Sequence, residues 1–414
     1  LNSNKKQKKS LGNFCSFKYG KTIRKSEISS EGLYPVFSGY QIVGYLDSFI
    51  YNEPQLLVVC RGVGGTGDIK ISPSQCSITN LSIIISVNKE IDKRYLYWVL
   101  RNADTHSMRT GSAQPQITIN DLERFPVEIQ ESLTDQKAIA HILDTLDEKI
   151  EVNRKNNETL EEIAKALFKS WFIDFDPVKA KSVGHSSGLS EEISNLFPDS
   201  FEDSELGQVP LGWECGKLGN YVSIKRGGSP RPIKDFIVEN GIPWVKISDA
   251  TASKNRFIFS TKEFIKAEGL SKTVCLKKGS LILSNSATPG IPKFLELDAC
   301  IHDGWLHFPE KEKFSDLYLY QLFLSIRSKL CLLGNGSVFT NLKTDILKNY
   351  NVIIPSKECL DLFDRQVDSL HQRCKSLTKS SNFLWKIRSI LLPKLISGEL
   401  RIPDAEKMIE ELGI

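Results

Sequence analysis

The 414-residue sequence predicts an α+β protein made of two copies of one unit, each a globular domain followed by a long helix. Three observations predict this fold. A heptad pattern of apolar residues occurs twice, short apolar runs typical of strands precede each heptad pattern, and local motifs recur at nearly constant offsets. A heptad seam on one helix needs a second helix to cover it, so we expect the two long helices to pair as a coiled coil.

The first long helix is predicted between Gln136 and Trp171, where no Gly or Pro interrupts the heptad pattern. Thr134 is the expected N-cap, and Asp176 followed by Pro177 marks the far end. At about 1.5 Å per residue this helix is roughly 50 Å long, which is more than one small domain needs, so we interpret it as a spacer. Its predicted seam contains Leu146, Ile150, Asn153, Asn157 and Leu160.

The second heptad pattern begins at Phe363, and Pro393 is expected to end its helix. A shift of 224 positions superimposes the two patterns and places Asn157 on Ser381. A polar residue in a seam usually costs stability while fixing register or orientation. Two unrelated amphipathic helices, each packed on its own domain, remain the alternative. The second seam contains Leu370, Leu377, Ser381 and Leu384.

Repeated motifs at both ends of the globular domains indicate an internal duplication. Each motif keeps its apolar, Lys or Gly positions in both copies. Each copy then continues directly into its long helix. The matching stretches are residues 11–14 with 218–221 and 17–21 with 224–228 at an offset of 207, and residues 111–112 with 336–337 and 125–129 with 350–354 at an offset of 225.

Short apolar runs inside each globular domain predict strands, and two longer stretches predict helices. The predicted strands are residues 56–60, 69–71, 82–87, 280–283 and 306–308, and the predicted helices are residues 94–100 and 317–332. Residues 1–10 form a polar tail that we expect to lack regular structure. The predicted boundaries are 1–133 and 207–357 for the globular domains, 134–180 and 358–402 for the long helices, 181–206 for a Ser-, Gly- and Glu-rich linker, and 403–414 for a tail.

Composition narrows the class of protein. No apolar run approaches the length of about 20 residues that a membrane-spanning helix needs. Nine cysteines without a Cys-x-x-Cys motif argue against a disulfide framework and a zinc ribbon, so we expect buried thiols in a cytoplasmic protein. Because the chain begins with Leu1 rather than methionine, its natural start need not be present.

The net charge of +4 is unevenly distributed along the chain. Lys and Arg minus Asp and Glu give 16 − 12 = +4 for residues 1–133 and 8 − 16 = −8 for residues 134–206. The same difference is 21 − 13 = +8 for residues 207–357 and 9 − 9 = 0 for residues 358–414. Two basic domains joined by an acidic or neutral spacer suggest two contacts with a polyanion, although ordinary charge scatter is the alternative.

Two motifs resemble cofactor or metal sites but lack the required context. The glycines between Gly62 and Gly67 match a dinucleotide fingerprint, yet residues 68–73 continue as a predicted strand where the fingerprint needs a helix. We therefore predict a glycine hairpin. His302 and His307 lack ligand spacing and are predicted to be structural. We find no catalytic constellation, and the Asn/Asp-Pro-Pro-aromatic signature of amino-methyltransferases is absent.

Basic and amide side chains in Gly- or Pro-containing loops are the candidate DNA contacts. Lys and Arg neutralise phosphates, Arg also reaches guanine in the major groove, and Asn and Gln pair with adenine. Solvated loops are the alternative for any single residue. The candidates are Lys18, Lys21, Arg24, Lys25, Arg61, Gln114 and Gln116 in the first domain, and Lys225, Arg226, Arg231, Lys234, Asn335 and Ser337 in the second.

Three longer motifs resemble the specificity subunit of type I restriction-modification enzymes. Residues 136–175 (QKAIA to LFKSWFIDF) are similar to its central conserved region, residues 197–213 (FPDS, ELG and PLGW) to the entry of its second target-recognition domain, and residues 391–400 (LLPKLISGEL) to the end of its second conserved helix. The resemblance covers nearly the whole chain. The stretch before Leu11 lacks a counterpart of PLGW, so the first domain is truncated or is entered differently.

The resemblance implies a DNA-recognition subunit without chemistry of its own. Each domain would recognise one half of a bipartite DNA site, and the antiparallel coiled coil would set the spacer between the halves. Two modification subunits binding S-adenosylmethionine would dock on the helices, where Asn153 and Asn157 are candidates for register and docking. Restriction subunits using ATP and Mg would join them. The competing hypotheses are a coiled-coil scaffolding protein without nucleic-acid binding and an enzyme that acts alone.

Overall fold

The computed structural model describes residues 6–62, 65–111, 114–253, 255–333 and 341–413. The helices are α1 (Lys93–Asn102), α2 (Ile119–Arg124), α3 (Leu133–Phe172), α4 (Asp176–Ser182), α5 (Glu191–Ser194), α6 (Ile247–Ala252), α7 (Asp316–Leu333), α8 (Thr344–Lys348), α9 (Lys357–Ser397) and α10 (Ile402–Glu411). None of the helices in these ranges has the length and apolar character needed to cross a membrane.

The strands alternate with these helices along the chain. They are β1 (Lys6–Ser10), β2 (Cys15–Tyr19), β3 (Tyr34–Phe37), β4 (Ile42–Leu46), β5 (Leu56–Val59), β6 (Ile69–Ile71), β7 (Ser77–Ile78), β8 (Ser82–Val87), β9 (Pro126–Gln130), β10 (Phe201–Ser204), β11 (Gly207–Pro210), β12 (Glu214–Lys217), β13 (Lys225–Arg226), β14 (Ile237–Val238), β15 (Ile242–Val245), β16 (Phe257–Ile258), β17 (Glu263–Ile265), β18 (Val274–Leu276), β19 (Leu281–Ser284), β20 (Pro292–Leu295), β21 (Ala299–Ile301), β22 (Trp305–His307) and β23 (Asn351–Ile354).

The chain divides into two compact units. Unit 1 comprises Leu1–Val152 and Ser380–Ile414, and unit 2 comprises Asn153–Lys379. The division falls inside both α3 and α9. Each unit therefore contains a globular part and one stretch of each long helix.

In unit 1, an antiparallel sheet in the order β2-β8-β5-β6 forms the centre of the globular part. Its central strands are apolar on both faces, as expected for strands covered on two sides. Leu56 and Val58 belong to a core that includes α1, whereas Leu57 packs with Ile78 beside the smaller sheet β4-β3-β7. In that smaller sheet, β3 runs parallel to β7.

Unit 2 repeats this topology with additional strands. Its larger sheet has the order β13-β22-β19-β20-β16, and its smaller sheet contains β15 parallel to β21. The pairing of β12 with β23 corresponds to the pairing of β1 with β9. The same strand order in both units confirms the predicted duplication and the α+β class.

The long helices pair within each unit. In unit 2, Asn157 Nδ2 of α3 donates to Thr378 Oγ1 of α9 at 3.2 Å, and the Phe168 and Phe363 rings lie 5.7 Å apart, so the helices run antiparallel there. In unit 1, Asp147 of α3 forms an ion pair with Arg388 of α9. The predicted seam residues Leu146, Asn153, Leu377 and Leu384 are buried, while Ile150, Asn157, Leu160, Leu370 and Ser381 are half-buried.

The predicted ends of the long helices were wrong at two places. Thr134 lies inside α3, and the N-cap is Ser132, whose Oγ accepts the N–H of Asp135 at 3.2 Å. Pro393 does not end α9, which continues to Ser397. Burial of Leu395 and Ile396 after the proline favours this last turn despite the missing backbone donor.

The predicted tail and linker contain regular structure. Lys6–Ser10 forms β1 because its backbone pairs with β9, so the expectation of an unstructured tail was wrong for these residues. Residues 181–206 include α5 and the β10–β11 hairpin begins among them, and Phe197 is buried against the unit 2 core. Lys181 Nζ also donates to the carbonyl oxygen of Phe197. This segment is therefore packed against unit 2 rather than a free linker.

One pair of cysteines departs from the expectation of free thiols. Cys275 and Cys300 are direct partners on β18 and β21, and their sulfur atoms are bonded. They are 25 residues apart in sequence, so spacing alone gave no sign of the pair. Seven other cysteines are free, three of them in intermediate positions and four buried.

Candidate nucleic-acid interface

Lys18 and Tyr19 at the end of β2 lie on opposite faces of the larger sheet of unit 1. Lys18 is exposed, and its Nζ lies 4.9 Å from the centre of the Tyr51 ring. Tyr19 points to the other face, since side chains alternate along a strand, and the Arg61 guanidinium lies 5.7 Å from the centre of its ring. The structure thus brings Arg61 to Tyr19 and places Lys18 elsewhere.

A glycine holds the end of β2 against the turn that precedes β8. Gly20 donates its N–H to the Ser82 carbonyl at 3.0 Å, and an added Cβ would lie only 2.1 Å from the Thr79 carbonyl oxygen. Lys21 follows, and its backbone N–H donates to the Ile78 carbonyl at 2.7 Å while its side chain is exposed. The position of Lys21 is therefore fixed by its backbone.

Gln116 lies beside Arg61 through backbone pairing. Gln116 bridges to both Arg61 and Thr110. The Tyr40 hydroxyl donates to the Arg61 carbonyl at 2.8 Å, and its ring covers Gly62, where an added Cβ would collide with it. Tyr19, Arg61 and Gln116 therefore share one exposed region in unit 1.

The remaining candidates in unit 1 are Arg24, Lys25 and Gln114, which lie in exposed connecting segments. Arg24 and Lys25 lie in the connection from β2 to β3, where Arg24 Nε is 3.9 Å from Glu27 Oε1 and both side chains are largely exposed. An exposed pair of this kind contributes little to stability. Gln114 is exposed on the loop that leads to Gln116.

In unit 2, Arg226 and Arg231 meet at one acidic residue. Arg226 Nε donates to the Asp303 carbonyl oxygen at 3.0 Å, and Arg231 Nη2 lies 3.4 Å from Asp303 Oδ2. Ser229 Oγ donates to Asp303 Oδ1 at 2.6 Å. Asp303 thus orients two exposed arginines that the sequence had only placed in the same loop.

A cleft of about 660 Å³ lies beside this residue in unit 2. Lys246 in its wall forms an ion pair with Glu263 at 2.6 Å, whereas Arg231 and Lys234 are the exposed positive charges of the lining. The cleft therefore combines cations, which a nucleic-acid site requires, with an aromatic wall formed by Trp244. Its lining residues are Ser229, Arg231, Ile233, Lys234, Ile237, Trp244, Lys246, Glu263, His302 and Asp303.

The ionisable groups around the Asp303 turn have shifted pKa values. Burial alone would raise the pKa of Asp303, but the hydrogen bond from Ser229 and the nearby charge of Arg231 help to lower that pKa. Burial lowers the pKa of His302, which therefore stays neutral at pH 7. Asp303 is accordingly a full negative charge between the two arginines.

The two histidines have structural surroundings. His302 Nδ1 accepts the N–H of Gly304 at 2.7 Å. Burial and the nearby charge of Lys225 lower the pKa of His307. Within the described ranges, no group of three or more His, Cys, Asp or Glu side chains could hold a metal ion.

Lys225 is exposed at the edge of the larger sheet in unit 2. It pairs with His307 across the strands, and alternation places its side chain on the face opposite Arg226. The candidates Asn335 and Ser337 lie outside the described residues. In unit 1 the segment after Gly67 forms β6, a strand rather than the helix that a dinucleotide site would need.

The family model described as "type I restriction modification DNA specificity domain" matches residues 3–162 and residues 210–388. These two matches cover most of the chain and follow the duplication seen in the fold. The chain belongs to this family of type I specificity subunits.

Relatives among known proteins agree with this membership. The chain is 30% identical over 339 residues to the type I restriction enzyme HindI specificity subunit of Haemophilus influenzae, covering 69% of this chain and 71% of the relative. It is 28% identical over 327 residues to the MjaIX specificity subunit of Methanocaldococcus jannaschii, covering 75% and 69%.

A solved structure has the same fold. The crystal structure of a type I restriction-modification S subunit from M. genitalium matches with a TM-score of 0.62 at 18% identity. The match covers 95% of this chain and 97% of that one.

Sequence reasoning missed several residues of these regions. Tyr19, Asp303 and Trp244 were absent from the candidates because aromatic and acidic residues do not neutralise phosphates. One signal was available. Under the offset of 207, Tyr19 occupies the position of Arg226, so the two copies differ at one equivalent exposed place.

Proposed function

We propose that this chain is the DNA-recognition subunit of a type I restriction-modification complex and that each globular part binds one half of a bipartite DNA site. The observation that carries the proposal is the duplication. Both units present an exposed arginine beside the corresponding edge strand: Arg61 lies above Tyr19 of β2 in unit 1, and Arg226 lies on β13 beside Asp303 in unit 2. Exposed cations on each globular part are what contact with two stretches of DNA requires.

The paired helices would set the number of base pairs between the two halves. Two α-helices with buried seams resist bending and give a fixed spacing, whereas a flexible linker would tolerate many spacings. The polar contact between Asn157 and Thr378 would fix the register of the pair.

Two modification subunits would dock on the long helices. Large apolar side chains are exposed on them, including Phe383, Trp385 and Ile390 of α9 in unit 1 and Ile163 of α3 in unit 2. Exposed aromatic residues of this size are typical of protein interfaces. Restriction subunits would then join, and S-adenosylmethionine, ATP and Mg would bind to the partners, with the whole complex acting in the cytoplasm.

A pair of variants tests the docking surface. Changing Trp385 to Glu should weaken co-purification of the modification subunit because a charge would be buried in the interface. The control is Leu33→Glu, which alters an exposed apolar residue of the globular part and should leave co-purification unchanged. Equal loss in both variants, or loss in neither, would contradict docking at this face.

The function itself is tested by selection from random DNA. The full chain, purified with its modification subunits, should enrich a bipartite sequence, and its affinity should fall steeply with rising salt as counterions are released. Binding without any sequence preference, or no binding at all, would contradict the proposal. The second outcome would favour a coiled-coil scaffold without nucleic-acid binding.

A further inference from the structure

Arg226 has a fixed backbone position at the end of β13. It pairs with Leu306 of β22, and the next residue, Gly227, donates its N–H to the Trp305 carbonyl at 2.9 Å. An added Cβ on Gly227 would lie 2.3 Å from the His302 carbonyl oxygen, so this close approach requires glycine. The Cα of Arg226 is therefore held against the turn of residues 302–304.

The guanidinium of Arg226 is oriented through one nitrogen. Nε donates to the Asp303 carbonyl oxygen at 3.0 Å, and the side chain is otherwise exposed. No further hydrogen bond of this guanidinium is formed among the described residues. The terminal pair Nη1 and Nη2, which can donate two parallel hydrogen bonds, is thus presented to solvent.

The turn that orients Arg226 is itself tied to the protein at several points. Asn285 Nδ2 donates to the Asp303 carbonyl at 3.3 Å, and the Asn285 backbone N–H donates to the Gly304 carbonyl at 2.8 Å. Ser229 Oγ donates to Asp303 Oδ1 at 2.6 Å. A rigid acceptor reduces the conformational entropy that Arg226 would lose on binding, so the guanidinium is organised in advance.

The charge pattern separates a base contact from a phosphate contact. The ionised Asp303 carboxylate lies in the turn that holds Arg226, so it offsets part of the positive charge beside the guanidinium and weakens the attraction of a phosphate placed there. A base edge carries no net charge and depends less on this attraction. Guanine is the base that offers two acceptors, O6 and N7, in the major groove, and these match the paired donors of an arginine.

We propose that Arg226 recognises a guanine in the major groove of the half-site bound by unit 2 and that Asp303 acts as its positioning residue. The inference rests on the proposed DNA-recognition function. It assigns a base preference to one residue of one unit.

Unit 1 lacks this arrangement at the equivalent place. Gly20 approaches the Thr79 carbonyl as Gly227 approaches the His302 carbonyl, so the two turns correspond. Tyr19 stands in the place of Arg226, and Asn80 stands in the place of Asp303. The other half-site therefore serves as an internal control.

The test uses the full chain with its modification subunits and selection from random DNA. The wild-type complex should enrich a guanine at one position of one half-site. Arg226→Gln removes the guanidinium and offers an amide, which pairs with adenine rather than guanine, so preference for that guanine should fall about tenfold or more while the other half-site is unchanged. Replacing the guanine with 7-deazaguanine, which lacks the N7 acceptor, should weaken binding by the wild type and not by the Gln variant.

Two further variants separate the roles. Lys234→Gln removes an exposed cation of the same unit and should weaken binding to all sequences equally. Asp303→Ala keeps the backbone carbonyl that accepts from Arg226 Nε but removes the carboxylate that ties the turn to Ser229 and Arg231. The loosened turn should reduce preference at the Arg226 position alone, and unchanged preference would refute the positioning role. A loss in Arg226→Gln that leaves the guanine preference intact, an unchanged motif, or a half-site without guanine would overturn the inference. A wild-type complex that enriches no sequence would instead refute the proposed function.

Discussion

Asp144 of α3 connects the long helix to the globular part of unit 1. Its carboxylate accepts from Arg94 Nε at 2.8 Å and from Trp98 Nε1 at 2.7 Å. The hydrogen bond that Arg94 donates to Asp144 raises the pKa of Arg94 against the opposing effect of burial. Trp98 is fully buried, so its indole N–H depends on this carboxylate.

Replacing Asp144 with Ala should therefore destabilise unit 1. The change leaves a buried indole N–H and a partly buried guanidinium without their acceptor, which costs about 1–3 kcal/mol in the free energy of unfolding. Urea denaturation measures the effect. Lys165→Ala, which breaks an exposed pair with Glu162, is the control and should cost less than about 0.5 kcal/mol. Equal stability of both variants would show that Asp144 does not stabilise the unit.

Glu161 connects α3 to the globular part of unit 2. It forms an ion pair with Arg256, whose side chain is buried at 1% exposure. Arg256 Nη1 lies 3.3 Å from His371 Nδ1, and the His371 ring packs between Phe257 and Phe294. Burial, together with the charges of Arg256 and Lys375, lowers the pKa of His371 to about 4.

This histidine should make stability depend on pH. Its pKa is about 4 in the folded chain. In the unfolded chain it is about 6.5, so the unfolded state binds the extra proton between these values. Stability is thus fully present above pH 6.5 and is lost as pH falls toward 4, by up to roughly 3 kcal/mol.

The pH effect is measured by denaturant unfolding at several pH values. His371→Phe cannot titrate and should lose less stability across this interval than the wild type. His141→Gln, a change at an exposed histidine of α3, should keep the wild-type profile. Parallel profiles for His371→Phe and the wild type would show that His371 does not cause the pH dependence.

The pair of long helices, α3 and α9, contains a polar contact between Asn157 and Thr378 that a contribution to stability does not explain. Asn157 Nδ2 donates to Thr378 Oγ1, but Asn157 Oδ1 is buried without a partner among the described residues. A buried unsatisfied acceptor costs free energy. We therefore propose that the contact between Asn157 and Thr378 serves to fix the register of the two helices.

The double variant Asn157→Leu with Thr378→Val should be more stable than the wild type by roughly 1 kcal/mol, because two apolar groups replace an incompletely satisfied polar pair. Thermal unfolding measures this. If the pair sets register, the variant complex should also select DNA with less uniform spacing between half-sites. Lower stability together with unchanged spacing would rule out the register role.

Sequence pattern predicted the elements that local periodicity determines. Strands β5, β6 and β8 and helices α1 and α7 lie within one or two residues of their expected bounds, because apolar spacing follows the period of each structure. Contacts distant in sequence escaped it. The packing of Phe197, the pairing of β1 with β9 and the bond between Cys275 and Cys300 depend on tertiary proximity.

In the candidate interface too, the sequence identified individual residues but not the contacts between residues that are distant in the chain. Composition and loop position identified Arg226 and Arg231, because cations beside Gly and Pro are visible in the sequence. The contact of both with Asp303 was not visible, since that residue lies more than 70 positions away. The separation of Lys18 from Arg61 was also visible only in the structure, because Lys18 and the Tyr19 that contacts Arg61 occupy opposite faces of β2.

In the whole molecule, the duplication shows which structural features both units share and which side chains differ between them. Sheet order, the glycine approach and the helix pairing recur in both units. The exposed or half-buried residues at this place differ, with Tyr19 and Asn80 in one unit and Arg226 and Asp303 in the other. A shared scaffold with different exposed residues is what two unlike half-sites require.

Lengthening both helices should change only the DNA spacer. Inserting four residues after Asn156 and four after Ser380 adds about 6 Å of helix, roughly one to two base-pair steps, and nearly preserves the seam. DNA selection should return the same half-sites farther apart. Inserting four residues at Gly188, in a loop, is the control and should change nothing. Altered half-site sequences would show that the helices do more than set spacing.

Sequencing of methylated adenine in the host genome, with and without this gene and with residues 1–133 exchanged for another recognition domain, tests recognition of two separate half-sites. We expect a bipartite methylated motif that disappears on deletion and changes in one half only after the exchange. Methylation that is unaffected by deletion, or an exchange that alters both halves, would contradict this recognition.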